Sequence, residues 1–273
     1  MTTDDQWRLH IDRVRFALDQ RSAPDATVRL WLRDDDAAAP TPLHAAYFEA
    51  ADALGAAPLI AVIPKLMTSE LAATSDSWPK DARVAVHGWS HINRATSGAK
   101  KSEFPDAPPD TPPDRPIETI NREVAANDLA RGQIILAEAF GTRALPVFVP
   151  PWNRIGARWA ARLRSLGYAG LSTFAASHTA DPPSGLTVSN THVDVVDWRS
   201  GRVAKAVNAV ATDLIAQVGT EPQRPIGILT HTLGNAPVPT PDAMMFLVQL
   251  TKREPRIQWI APTQLFPASL SAT

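Results

Sequence analysis

Cysteine is absent from this 273-residue chain. Disulfides and thiolate metal sites are therefore excluded, and any metal must be held by His, Asp or Glu. An excess of either charge is also lacking, since 27 Lys and Arg oppose 28 Asp and Glu. No basic stripe with interleaved aromatics occurs, so nucleic acid is not an expected partner. No run of about 18 apolar residues is present, so no membrane span is expected. The start, MTTDDQWRLH, lacks the basic opening and apolar stretch of a secretory signal, and the expectation is a cytoplasmic protein. What is plentiful is apolar residues, at 44%, enough to bury a substantial core. The length suits one large domain over residues 1–273.

Short apolar runs alternate with longer segments of helical period. Residues 28–32, 58–63, 83–86, 147–149, 170–173, 187–193, 226–229 and 257–260 read as strands. Residues 43–54, 117–140, 158–166, 203–218 and 242–252 read as helices, and an opening helix around 7–18 is expected to pack outside or plug one end. This alternation predicts βα units around a parallel sheet, in the α/β class, and the strand number fits a distorted (β/α)7–8 barrel. The stretch 97–116, containing KKSEFPDAPPDTPPDRP, breaks the rhythm and is expected to be a long Pro-rich loop over the site.

The polar clusters each follow an apolar run: Asp34, Asp35 and Asp36; His87 and His91; Pro150, Pro151, Trp152 and Asn153; Asp194, Asp197 and Trp198; and His231. In α/β barrels the loops after the strands gather at one face and carry the chemistry. Three successive aspartates repel one another unless they are solvated or share a cation. His87 and His91, at i and i+4, are expected on one side of a helical turn, a common way to present two nitrogens to one metal. Two histidines and one carboxylate leave coordination positions open for water and substrate. His10, His44 and His178 have no such context and are assigned to the surface. His192 lies near the Asp194 cluster and is read as a pocket wall at most.

Taken in order, these pieces resemble the polysaccharide deacetylases, the NodB-type carbohydrate esterases of family 4. The matching stretches are the aspartate pair in LRDDDA, HGWSH, PPWN, DVVDW and LTH, between Leu32 and His231. HGWSHIN, KKSEF, FVPPWNR and HVDVVDWR are further similar to a cytoplasmic-type branch. The resemblance implies a NodB-type barrel and removal of an acetyl group, N- or O-linked, from a small or oligomeric sugar-like substrate. It implies that Asp36, His87 and His91 hold a divalent metal, zinc first, with cobalt, nickel, manganese or iron fitting the same ligands. Asp35 would be the general base and His231 the general acid. Trp152 and Trp198 would wall the acyl pocket, with Pro151 and Asn153 beside them, and Asp194 or Asp197 would orient the acid or its neighbours. Trp89 adjoins the same polar residues and also suits stacking on a sugar ring.

Two points stay open in the sequence. The aspartate pair can be registered as Asp35–Asp36 or as Asp34–Asp35. The family's third motif usually begins with an arginine that contacts the base, and Val149 stands there; Arg154 and Arg33 are the candidate substitutes. Competing readings are a related amide hydrolase acting on a cyclic imide or ureide, and a non-catalytic metal- or glycan-binding relative.

Overall fold

The structure, a computed structural model, describes residues 3–106, 122–174, 185–219, 224–234 and 236–267. Its elements run in the order α1 (Thr3–Asp19), β1 (Val28–Ala37), α2 (His44–Leu54), β2 (Pro58–Val62), α3 (Ser69–Thr74), β3 (Arg83–His87), α4 (Arg122–Phe140), β4 (Ala144–Val149) and α5 (Ala157–Ala160). They continue with β5 (Gly170–Leu171), β6 (Thr187–Val188), β7 (Thr191–Asp194), β8 (Val196–Asp197), β9 (Val203–Ala204), α6 (Val207–Val218), β10 (Ile226–Thr230), α7 (Pro241–Arg253), β11 (Ile257–Trp259) and α8 (Pro262–Leu265).

The main sheet is parallel, in the order β6-β5-β4-β3-β2-β1-β10-β7, with β11 added beside the first residues of β1. Its two ends meet. The Thr187 and Ser189 N–H groups donate to Ala169 and Leu171, and the Thr191 N–H donates to Thr173 at 2.9 Å, while β7 also pairs with β10. The run from β6 to β7 thus bridges β5 and β10 and closes the sheet into a distorted barrel.

Strands buried on both faces read as unbroken apolar runs, and β2 and β10 are buried along their whole length for this reason. Alternation along β1 sorts the two sides. Leu30 and Leu32 face the helical layer, in one core with Val14, Phe48, Leu214 and Leu247. Trp31 belongs to a second core inside the barrel, with Leu59, Ala61, Ala85, Val147 and Val149. Leu265 and Phe266 join that inner core, and Phe266 meets Trp31 edge-on at 6.3 Å. Gly170 makes room for it, because a Cβ there would lie 2.6 Å from the Phe266 ring. The floor of the barrel is therefore plugged by the chain's C-terminal region; α1 packs outside, against α6 and α7.

Several expectations are corrected. β1 does not stop at Leu32 but runs through all three aspartates, which are buried or half-buried and paired. The helix expected over 158–166 is broken into α5 and a separate single turn at Arg164–Leu166. The helix expected from Val203 begins at Val207, because Val203–Ala204 pairs antiparallel with Val196–Asp197 in a hairpin. That pairing suits β-branched valines. The stretch 97–116 is not structureless throughout: Ser102, Glu103 and Phe104 are buried. Residues 107–116 lie outside the described residues, as do 117–121 at the start of the expected helix and His178. His10 and His44 are half-buried rather than superficial, and His10 meets Phe246 edge-on. Among the described residues, no helix is long and apolar enough to cross a membrane.

Candidate active site

The polar clusters do converge on the carboxyl-terminal end of the barrel. Asp36 is the penultimate residue of β1, His87 ends β3, Asp194 ends β7, and the Pro151–Asn153 turn and His231 follow β4 and β10.

Alternation gives the three aspartates three environments. Asp34 continues the outward series of Leu30 and Leu32. Its carboxylate accepts from the Thr230 Oγ1 hydroxyl (2.6 Å) and from the Thr232 (2.8 Å) and Leu233 (2.9 Å) N–H groups. Burial pushes its carboxyl up to about 7, although those three donors pull the other way. Asp35 continues the inward series of Trp31 and Arg33. Arg33 Nε lies 2.9 Å from its Oδ1, and an Arg33 terminal nitrogen donates to Oδ2 at 3.0 Å. Regular alternation would send Asp36 outward with Asp34. Instead Asp36 adopts φ 72, the register against β2 shifts between Asp34 and Ala37, and its carboxylate is brought back to the barrel mouth.

There Asp36 Oδ1 lies 3.0 Å from His87 Nε2 and 3.1 Å from His91 Nε2. One ligand atom from each residue falls within 4.8 Å of the others, a spacing fit for one cation. The expected helical turn is not what joins the histidines. Gly88 (φ 61) and His91 (φ 56) are both left-handed, and the connection is an open loop. Glu103 explains the shape: its carboxylate accepts from the Trp89, Ser90 and His91 N–H groups, which a helix would direct along its axis.

His87 tests whether a metal fits. Its Nδ1 is 3.0 Å from the Val149 carbonyl, an acceptor only, so Nδ1 carries a proton. Its Nε2 faces another pure acceptor, the Asp36 carboxylate. A cation on Nε2 satisfies this pair of groups without a further ring proton. Burial lowers the His87 pKa, but the Asp36 hydrogen bond and the Asp35 and Asp36 charges outweigh it and raise it. For Asp36, burial is opposed by hydrogen bonds from His87 and His91, which hold its carboxyl well below the usual range. An oxygen–nitrogen–nitrogen set of this kind suits zinc and its divalent neighbours.

The remaining predicted residues divide. His231 is buried, and its Nδ1 has no hydrogen-bond partner among the described residues. The Trp198 ring packs edge-on against it at 4.7 Å, and Asp194 fixes that ring by accepting from the indole N–H at 2.7 Å. Burial raises the Asp194 carboxyl, partly offset by its hydrogen bonds from the Trp198 indole and the Val196 N–H. Trp152 packs 4.4 Å from His91, and Asn153 Oδ1 accepts from Arg33. Pro151 is buried against Gly88. Asp197 is occupied with its own hairpin turn, accepting from the Arg199 and Ser200 N–H groups and the Ser200 hydroxyl. Trp89 is buried beneath Arg131, whose guanidinium stacks 4.9 Å from the ring, so it is core. His192 is buried and accepts from the Gly227 N–H, away from the site.

Three contributors carried little signal. Glu103 stood as one acid within KKSEF. Asp34 was hidden as the spare member of the triplet. Arg202 had no marker, yet it lies 3.5 Å from Asp36 Oδ2 and stacks 5.3 Å from Trp198. All five non-glycine residues with positive φ among the described residues (Asp36, His91, Trp152, Asn153 and Arg202) belong to this one site or touch it, as strained backbone often does.

No family model and no curated protein matches this sequence. Solved structures do. A family 4 carbohydrate esterase from Streptomyces lividans in complex with acetate aligns with a TM-score of 0.53 at 16% identity, over 89% of this chain and 98% of its own. The peptidoglycan N-acetylglucosamine deacetylase Bc1960 aligns at 0.53 and 12%, over 88% and 89%. A family 4 acetyl xylan esterase from Clostridium thermocellum, in complex with a cobalt ion, aligns at 0.50 and 15%, over 87% and 90%. The fold is that of the family 4 carbohydrate esterases. The NodB-type barrel expected from the sequence is therefore present over most of the chain, at an identity that speaks for the fold alone.

Proposed function

We propose that this protein is a metal-dependent hydrolase that removes an acetyl group, N- or O-linked, from a sugar-like substrate. One observation carries the reading: Asp36, His87 and His91 form a cation-sized cluster at the mouth of a barrel of deacetylase type, with Asp35 next to one ligand in the chain and His231 in the loop after β10. The same architecture hosts a deacetylase in complex with a hydroxamate-type ligand and an esterase in complex with cobalt.

Asp36, His87 and His91 would hold the metal, zinc first, with cobalt, nickel, manganese or iron suited to the same donors. When bound, the metal would polarise the acetyl carbonyl and acidify water. Asp35 takes a proton from the water that adds to the acetyl carbon, and Arg33 holds its carboxylate in place. The C–N or C–O bond then breaks with its electron pair going to nitrogen or oxygen. His231 gives that atom a proton, so acetate and a free amine or hydroxyl leave. Each proton transfer of this kind typically contributes 10²–10⁴-fold. Trp198 and Trp152, one on His231 and one on His91, form the walls for the acetyl group. Arg33 takes over the task of the arginine that Val149 replaces, reaching the base from two residues upstream on the same strand.

Acetate release across a panel of N- and O-acetylated sugars tests the reading. Release that depends on Asp35 and His231 is expected. Ring opening of a cyclic imide or ureide without acetate would contradict it and favour the related amide hydrolase.

A further inference from the structure

We infer that Glu103 is the positioning residue of the candidate metal centre: it fixes the loop from His87 to His91 in the shape that presents both imidazoles to Asp36. This deepens the metal-site reading and rests on it.

Glu103 is fully buried. Its Oε1 accepts from the Ser90 N–H at 2.8 Å and the Ser90 hydroxyl at 2.7 Å; its Oε2 accepts from the Trp89 N–H at 3.0 Å and the His91 N–H at 3.2 Å. Three successive backbone N–H groups thus converge on one carboxylate. Such a nest needs a curved, partly left-handed backbone, which Gly88 and His91 supply. Glycine is required at 88, because a Cβ there would strike Glu103 Oε2 and sit 2.5 Å from the Pro151 ring. The anion in the nest is the protein's own side chain, and the outcome is a strained His91 held beside Asp36.

Glu103 is itself gripped from the other side. The Ser102 hydroxyl donates to the Arg154 carbonyl at 3.1 Å, and the Gly156 N–H donates to the Phe104 carbonyl at 2.7 Å. Phe104 is buried edge-on between Phe148 (5.7 Å) and Trp159 (5.8 Å). Residues 102–104 therefore tie the histidine loop to the loop that carries Trp152 and Asn153. A glutamine at 103 keeps the volume but turns an NH2 toward N–H donors that need an acceptor. The loop then loses its anchor while the barrel around it keeps its core. Groups that orient metal ligands typically matter 10–100-fold in metal affinity.

The test uses the full chain as wild type, Glu103→Gln and, as a milder change, Ser90→Ala. Zinc affinity is measured by chelator competition, and backbone amide exchange over residues 88–91 is measured without metal. Glu103→Gln is expected to bind zinc 10–100-fold more weakly and to exchange faster in that loop, with the strands unchanged. Ser90→Ala, which removes one of four hydrogen bonds, is expected to weaken zinc binding about threefold to tenfold. Wild-type affinity together with wild-type loop exchange in either variant overturns the inference. Should Glu103→Gln fail to fold, Ser90→Ala decides. Should the wild type take up no zinc, the metal reading fails by itself, and the exchange measurement alone decides whether Glu103 holds the loop.

Discussion

Arg33 closes on Asp35 from the same strand and the same face, with Nε 2.9 Å from one carboxylate oxygen and a terminal nitrogen 3.0 Å from the other. The guanidinium also donates to Ser172 Oγ at 2.7 Å and reaches Asn153 Oδ1, so one buried side chain joins β1, the end of β5 and the loop after β4. Lysine cannot make this fork.

Arg33→Lys should lower kcat/KM for acetate release by at least about tenfold, because Asp35 loses its fixed orientation. Arg33→Ala should in addition cost about 3–5 kcal/mol of stability, by leaving the buried Asp35 charge uncompensated. Thermal melts and kinetics read both effects; a fully active Arg33→Lys would remove Arg33 from the account.

His231→Ala should keep the fold and the metal and lose about 10²–10⁴ of the turnover. Elemental analysis and single-turnover assays distinguish this from collapse of the site. A near-normal rate would end the general-acid assignment.

Asp34 and Asp36 separate the two registers of the triplet. Asp34→Ala should leave zinc content intact, yet cost about 2–4 kcal/mol, since it orphans the buried N–H groups of Thr232 and Leu233 in the loop beside His231. Asp36→Ala should abolish zinc binding. Zinc retained by Asp36→Ala but lost from Asp35→Ala would restore the Asp34–Asp35 register.

A latch far from the site predicts acid sensitivity. Glu254 accepts from Arg256 Nε and a terminal nitrogen, each at 2.7 Å, and Arg256 reaches Asp19 at 2.8 Å. The Arg256 hydrogen bonds hold the Glu254 carboxyl below its ordinary 4.5. Its stabilisation is therefore complete above pH 4.5 and is lost as pH falls through the lower folded value. Glu254→Gln should cost about 2–3 kcal/mol at neutral pH and progressively less in acid, read by urea melts across pH. A constant deficit at every pH would refute the linkage.

The sequence made the candidate site's location legible because each polar cluster lies at or after the end of an apolar run. Asp36, His87, His91, Trp152, Trp198 and His231 share this placement, and the fold brings them to one end of the barrel. What stayed hidden depends on backbone detail that patterns do not encode. Spacing suggested a helical turn for His87 and His91, but a carboxylate twelve residues beyond His91 bends the loop instead. The triplet was placed after the strand; it lies within it, with a left-handed break at Asp36 that reverses the expected facing. Of the two arginines named as candidates, Arg33 is the one that shares a face with Asp35 and contacts its carboxylate. The first helix was expected to pack outside or to plug one end; it packs outside, against α6 and α7, and Phe266 fills the floor because Gly170 leaves space.

Everything proposed for the site depends on Asp36, His87 and His91 holding a divalent metal. Elemental analysis of the wild type beside a His87→Ala/His91→Ala double variant tests it most directly. About one divalent metal per wild-type chain and none in the double variant are expected. A wild type that remains metal-free after incubation with zinc or cobalt, or a double variant that still binds one equivalent, would contradict it.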